Sequence, residues 1–109
     1  MKLLVFGSPT IKEFDFSPYV TPEIDTVICD GERGIAALAE QYADSHRLTK
    51  YVVRPRRDAR GRALLITRNE SMVDMADAVL FVWDGRTQGI DKTLLYAKRK
   101  NKPYAFIIV

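Results

Sequence analysis

Three short segments place glycine beside groups that can hold an anion. They are Phe6-Gly7-Ser8, Asp30-Gly31-Glu32-Arg33-Gly34 and Asp84-Gly85-Arg86-Thr87-Gln88-Gly89, and each ends an apolar run. Glycine lets a backbone turn at positive φ or come close to a ligand. A helix starting after such a turn offers unpaired N–H groups and a positive dipole end, which suit phosphate or carboxylate. Arg33, between two glycines, could fork onto such a group; the alternative is an exposed arginine paired with Asp30 or Glu32. Ser8 and Thr87 are candidate phosphate hydroxyls and equally candidate turn residues. Asp84 could accept ribose hydroxyls or close its own turn. Trp83, just before it, could stack on a base or pack against a helix. No turn carries the GK[ST] of a P-loop or the GxGxxG of a dinucleotide site, and no cofactor is expected.

The remaining chemistry is sparse. Cys29 and His46 are the only cysteine and histidine. They exclude an intramolecular disulfide and fall short of a zinc site of the usual kind. Cys29 is expected to pack, and His46 to sit near a helix end.

Five β-rich runs position these turns: residues 2–6, Thr26-Val27-Ile28-Cys29, Tyr51-Val52-Val53, 78–83 and 104–108. They are nearly continuous in apolar residues, which predicts strands covered on both faces. Helical spacing links Ile35, Leu38, Ala39 and Tyr42; then Leu65, Met72, Val73 and Ala76; then Ile90, Leu94 and Ala97. Asn69 shares the second stripe, where it either clamps a strand end or reaches a ligand. Arg68 is expected off that stripe and exposed, with an approach to the cleft as the alternative. Between the first two runs, Pro9, Pro18 and Pro22 predict a short helix or an irregular crossover. The order predicts an α/β fold, an open, mostly parallel five-stranded sheet with helices on both faces in three α/β/α layers. Residues 1–109 are read as one domain. The carboxyl ends of its strands share one edge, where such sheets bind ligands. The candidate ligand-binding residues are Gly7, Ser8, Gly31, Arg33, Gly34, Asn69, Asp84, Gly85, Thr87 and Gly89.

At 109 residues with 47% apolar content, the chain can bury one core without disulfide or metal. No apolar run reaches the roughly 18–20 residues of a membrane span, and the N-terminal apolar run is too short for a signal peptide. A cytoplasmic domain without membrane contact is expected. The net charge of +3 is unevenly spread. Residues 54–62 hold five arginines and one aspartate, residues 98–102 four more positive charges, and the rest is net acidic. The second cluster ends a helix before Pro103, which its macrodipole favours. The first follows the third strand and reads as a lid on an anionic ligand, a nucleic-acid patch or a plain loop. No aromatic lies within it to stack on bases, which argues against nucleic acid.

Gly31-Glu32-Arg33-Gly34-Ile35-Ala36-Ala37-Leu38-Ala39, Arg68-Asn69 with Met72, the run from Ala76 to Gly85, Gly89 and Lys102-Pro103 resemble the YspA/cpYpsA-related branch of the SLOG superfamily (SMF/DprA-LOG). The resemblance implies a Rossmann-like fold, a nucleotide or nucleotide-derived ligand at the strand edge, and self-association through helices. The chain departs from the family at three positions. The acidic residue after the arginine turn is missing from Ile35-Ala36, the Gly-Thr of the last turn is Gly89-Ile90, and the glutamate of phosphoribohydrolase relatives falls at Thr93.

Three functions follow. The first is a sensor or binding module for a nucleotide-like anion. The second is an enzyme acting on an N-glycosidic or phosphate bond, with Asp30, Glu32 and Asp84 as the nearby carboxylates. The third is a protein-interaction domain with a vestigial cleft. The three departures favour binding over catalysis.

Overall fold

A computed structural model of the chain describes residues 1–54 and 62–109, the side chains of 62–65 excepted. The arginine-rich segment beyond Arg54 and the Leu65 position of the second stripe therefore lie outside the described residues. The elements are β1 (Lys2–Gly7), β2 (Thr26–Cys29), α1 (Ile35–Ser45), β3 (Thr49–Val52), α2 (Arg62–Met75), β4 (Ala78–Trp83), α3 (Ile90–Arg99) and β5 (Tyr104–Ile108). The strands form one parallel sheet in the order β3-β2-β1-β4-β5. Strand order reverses at β1, between β2 and β4, so this is a Rossmann-like open sheet with its switch point beside β1.

Period-two alternation in β1 divides the core. Leu3 and Val5 point to one face, where Val27, Leu80 and Val82 meet Ile35, Ala39 and Ala43 of α1. Leu4 and Phe6 point to the other, where Ile28, Val79 and Phe81 meet Met72 and Val73 of α2 and Ile90 and Ala97 of α3. Every residue from Leu3 to Phe6 is buried, as are all four of β2 and the middle of β4. The central strands are thus covered on both faces.

The edges differ from that expectation. Thr49, Lys50 and Tyr51 of β3 are exposed, as are Tyr104 and Ile108 of β5. Too few layers remain at the margins to cover strands with only one neighbour. β3 also starts two residues early, at Thr49, because Thr49 N–H continues the ladder to the Asp25 carbonyl.

The crossover from β1 to β2 is irregular, with turns and no helix. It serves as a layer nonetheless. Ile11, Phe16 and Ile24 are buried in the α1-side cluster, and Phe16 packs against Phe14 and Tyr42 with ring centroids 4.9 and 5.5 Å apart. Three prolines and an Asp15 carboxylate that accepts from the Ser17 N–H and hydroxyl favour turns over helix here.

The basic cluster after α3 has two duties. Lys98 and Arg99 complement the last turn of α3. Lys102 Nζ instead donates to the Ala76 carbonyl at 2.7 Å, closing the end of α2. No helix among the described residues is long and apolar enough to cross a membrane.

Candidate functional site

The carboxyl ends of β1, β2 and β4 meet at a crevice of about 1280 Å³. Its floor includes Phe6, Gly7 and Trp83; one wall carries Asp30, Glu32, Arg68 and Asn69; the other is the 86–89 turn and the first turn of α3.

The turn after β1 is built for close packing. A Cβ on Gly7 would collide with the Val82 carbonyl and come within 2.9 Å of Ile35 Cγ2. Ser8 is fully buried behind the crevice. Its N–H donates to Val82 O, its carbonyl accepts from Ile35 N–H, and its Oγ accepts from Asp84 N–H at 2.9 Å. Ser8 therefore ties β1, β4 and the start of α1 together, and its hydroxyl does not face the crevice as the sequence reading allowed.

The turn after β4 is closed by Asp84. One carboxylate oxygen accepts from Arg86 N–H at 2.8 Å and Thr87 N–H at 2.7 Å. The other accepts from the Thr10 and Thr87 hydroxyls at 2.5 and 2.9 Å. These bonds, the Thr10 hydroxyl foremost, hold the Asp84 carboxyl well below the usual carboxylate range. Four donors leave it no lone pair in good geometry for ribose. Asp84 and the Thr87 hydroxyl shape the turn, which is the structural one of the two roles weighed for each. Trp83 donates its indole N–H to Thr87 O at 2.8 Å and packs on Phe106, so it pins the same turn. Gly85 and Gly89 both have positive φ, 82° and 95°, and a Cβ on either would enter open space. Gly89 precedes α3, whose first turn has no side-chain cap.

The turn after β2 brings in the charged groups. Asp30 Oδ1 accepts from Glu32 N–H at 3.0 Å. Arg54 Nη1 donates to Gly31 O at 3.3 Å. Gly34, with φ 74°, packs so closely on Pro9 that a Cβ would sit 2.5 Å from its Cα.

Arg33 does not enter the crevice. It is exposed and lines a separate groove of about 520 Å³ with Lys12 and Leu38. On the wall beside β2 the crevice carries the guanidinium of Arg68. Its side chain is 9% exposed, against an expectation of exposure. Nη2 lies 3.5 Å from Asp30 Oδ2 and Nη1 3.9 Å from Glu32 Oε1. Asn69 Oδ1 accepts from Arg68 Nε and Nη2 at 3.2 and 3.0 Å. Asn69 thus clamps a guanidinium, a third role beside the two weighed for it. Arg68 Nη1 is buried and has no hydrogen-bond partner among the described residues.

Burial pushes the Asp30 carboxyl above its ordinary range; the Glu32 N–H and Arg68 pull it back only in part. Cys29, fully buried one residue earlier, has its thiol pushed up to about 11 by burial. It packs, as expected. His46 caps α1 and stacks on Tyr42 at 3.9 Å. Thr93 is a buried residue on the α3 wall. No group of three or more His, Cys, Asp or Glu suited to a metal occurs among the described residues.

Comparison with known protein families, curated proteins and solved structures finds no match for this chain.

Proposed function

We propose that this domain binds a nucleotide or nucleotide-derived anion in the crevice at the switch point, as a binding or sensing module of the SLOG type. The observation that carries the reading is the buried Arg68 with an Nη1 left without a hydrogen-bond partner. A buried guanidinium N–H with no acceptor costs on the order of 1–3 kcal/mol, more when charged. A ligand oxygen that reaches it recovers that cost on binding. The opposite wall suits the phosphate. The start of α3, which has no side-chain cap, Arg86 and Lys92 favour negative charge there, and Asp91 in the same turn opposes it.

The test is a thermal-shift panel of nucleoside mono-, di- and triphosphates and sugar phosphates, on the wild type and Arg68→Lys. A ligand at a hundredfold excess over Kd stabilises by about 2.7 kcal/mol. The expected result is a phosphate-dependent shift in the wild type that Arg68→Lys strongly reduces. Lysine keeps the charge but loses the planar fork that Asn69 holds. A flat panel, or an unchanged shift in the variant, overturns the reading.

One observation favours a catalytic second reading. With Asp84 occupied, Asp30 is the buried carboxyl of the crevice, and burial moves it in the direction a general acid needs. Base release from the nucleotide that binds, measured by chromatography, would be abolished in Asp30→Asn. Release that survives this change excludes Asp30 as the acid.

A further inference from the structure

We propose that Asp30 and Arg68 together hold the 2′,3′-diol of a ribose, so that the crevice selects ribonucleotides over 2′-deoxyribonucleotides. This inference rests on the nucleotide-binding reading above and names the part of the ligand that meets the β2 wall.

Hydrogen-bond bookkeeping at the two side chains leads to it. Asp30 follows directly on β2, at the carboxyl end of the strand beside β1. Its Oδ1 is engaged by the Glu32 N–H. Its Oδ2 lies 3.5 Å from Arg68 Nη2, an ion-pair contact without a hydrogen bond, and retains accepting capacity. Arg68 spends Nε and Nη2 on Asn69 Oδ1, which fixes the guanidinium plane. Its Nη1 retains donating capacity. The wall therefore offers one charged acceptor and one charged donor, held side by side by the ion pair between them.

Charge excludes the simpler occupants. A phosphate on Arg68 would bring its oxygens beside Asp30 and Glu32, where like charges repel. A cationic amine on Asp30 would meet Arg68. A neutral group with two adjacent hydroxyls satisfies both sides: the 2′-hydroxyl donates to Asp30 Oδ2 and the 3′-hydroxyl accepts from Arg68 Nη1. An anion-favouring backbone lies across β1, at the start of α3. A ligand with a phosphate at one end and a vicinal diol at the other spans the two walls. An acidic side chain at the end of the second strand meets ribose hydroxyls in dinucleotide-binding sheets of this order too, although the glycine fingerprint of those sheets is absent here.

Calorimetric titration of the full chain with AMP, 2′-deoxy-AMP, ribose 5-phosphate and 2-deoxyribose 5-phosphate tests the proposal. Loss of one hydrogen bond to a charged group predicts about tenfold or more weaker binding of each deoxy probe. In Asp30→Asn, with folding checked by circular dichroism, that preference should fall to near parity. Equal affinity for ribo and deoxy probes in the wild type overturns the diol contact and leaves nucleotide binding standing. Binding of none of the four overturns both. A ribose preference that persists in folded Asp30→Asn overturns the role of Asp30.

Discussion

Replacing Arg68 by methionine removes the guanidinium while keeping most of the buried stem. The Asp30–Arg68 approach of 3.5 Å corresponds to an attraction of about 5 kcal/mol at an effective dielectric of roughly 20. Glu32 adds little, being 3.9 Å away and half exposed. Opposing this, desolvation costs several kcal/mol for each ion. The Asp30 carboxyl remains raised despite its partner, so desolvation outweighs attraction at that residue. Arg68→Met leaves Asp30 buried without a counter-charge, and the residue responds by holding its proton to higher pH. The net loss is therefore expected to be about 1–3 kcal/mol at neutral pH, below the full 3–5 kcal/mol of a broken buried pair. The sign with pH follows from linkage. A raised folded pKa means the native state binds more protons than the unfolded chain, so stability falls as pH rises through that pKa. The variant extends this range upward, so its deficit grows as pH rises above the ordinary carboxylate range. Urea denaturation followed by the fluorescence of Trp83 reads this directly. A double-mutant cycle with Asp30→Asn should give a coupling of about 1–3 kcal/mol. Additive effects, or a deficit that does not change with pH, would refute the account of this pair.

Three further outcomes follow from the geometry. Gly34→Ala should be more damaging than Gly89→Ala: both incur about 1–3 kcal/mol for a side chain at positive φ, and only the first adds overlap with Pro9, typically about 1–3 kcal/mol; equal melting temperatures would contradict this. Asp84→Ala should lower the melting temperature at neutral pH. The Asp84 carboxyl is held low, so its contribution is present above the ordinary carboxylate range and lost only as pH falls well below it; a difference unchanged between pH 7 and pH 2 would contradict the capping role. Cys29, with its thiol raised to about 11, should resist aromatic disulfide reagents in the native protein and react only as the chain unfolds; rapid labelling at pH 8 without denaturant would contradict its burial.

Much of the fold was legible because its signals are local. The runs that became β1, β2 and β4 are apolar on both alternating rows, which only doubly covered strands require. The turns announced themselves through glycine, and the structure shows why two of them are fixed: Gly7 by contact with Val82 and Ile35, Gly34 by a positive φ packed on Pro9. The exposed margins of β3 and β5 were less legible, because a run such as Tyr51-Val52-Val53 reads alike in a central and an edge strand.

The site divided along another line. Asp84, Thr87 and Ser8 have residue types that serve ligands and turns equally, and only the distances show them satisfying one another. Arg33 was favoured by its glycine neighbours, yet the start of α1 turns it towards a different groove. Arg68 carried a signal that its type obscured. It lies four residues before the buried Met72, as Asn69 lies four before the buried Val73, so both occupy rows that lead into the core. An arginine on such a row is costly to bury unless carboxylates await it, and Asp30 and Glu32 arrive from another part of the chain.

Amide chemical shifts of the labelled protein, titrated with AMP, test the central claim most directly. The account predicts saturable shifts concentrated at residues 6–7, 30–32, 66–70 and 86–93, and their loss in Arg68→Lys. No saturable shifts, or shifts confined to the Arg33 groove around Lys12 and Leu38, would contradict it.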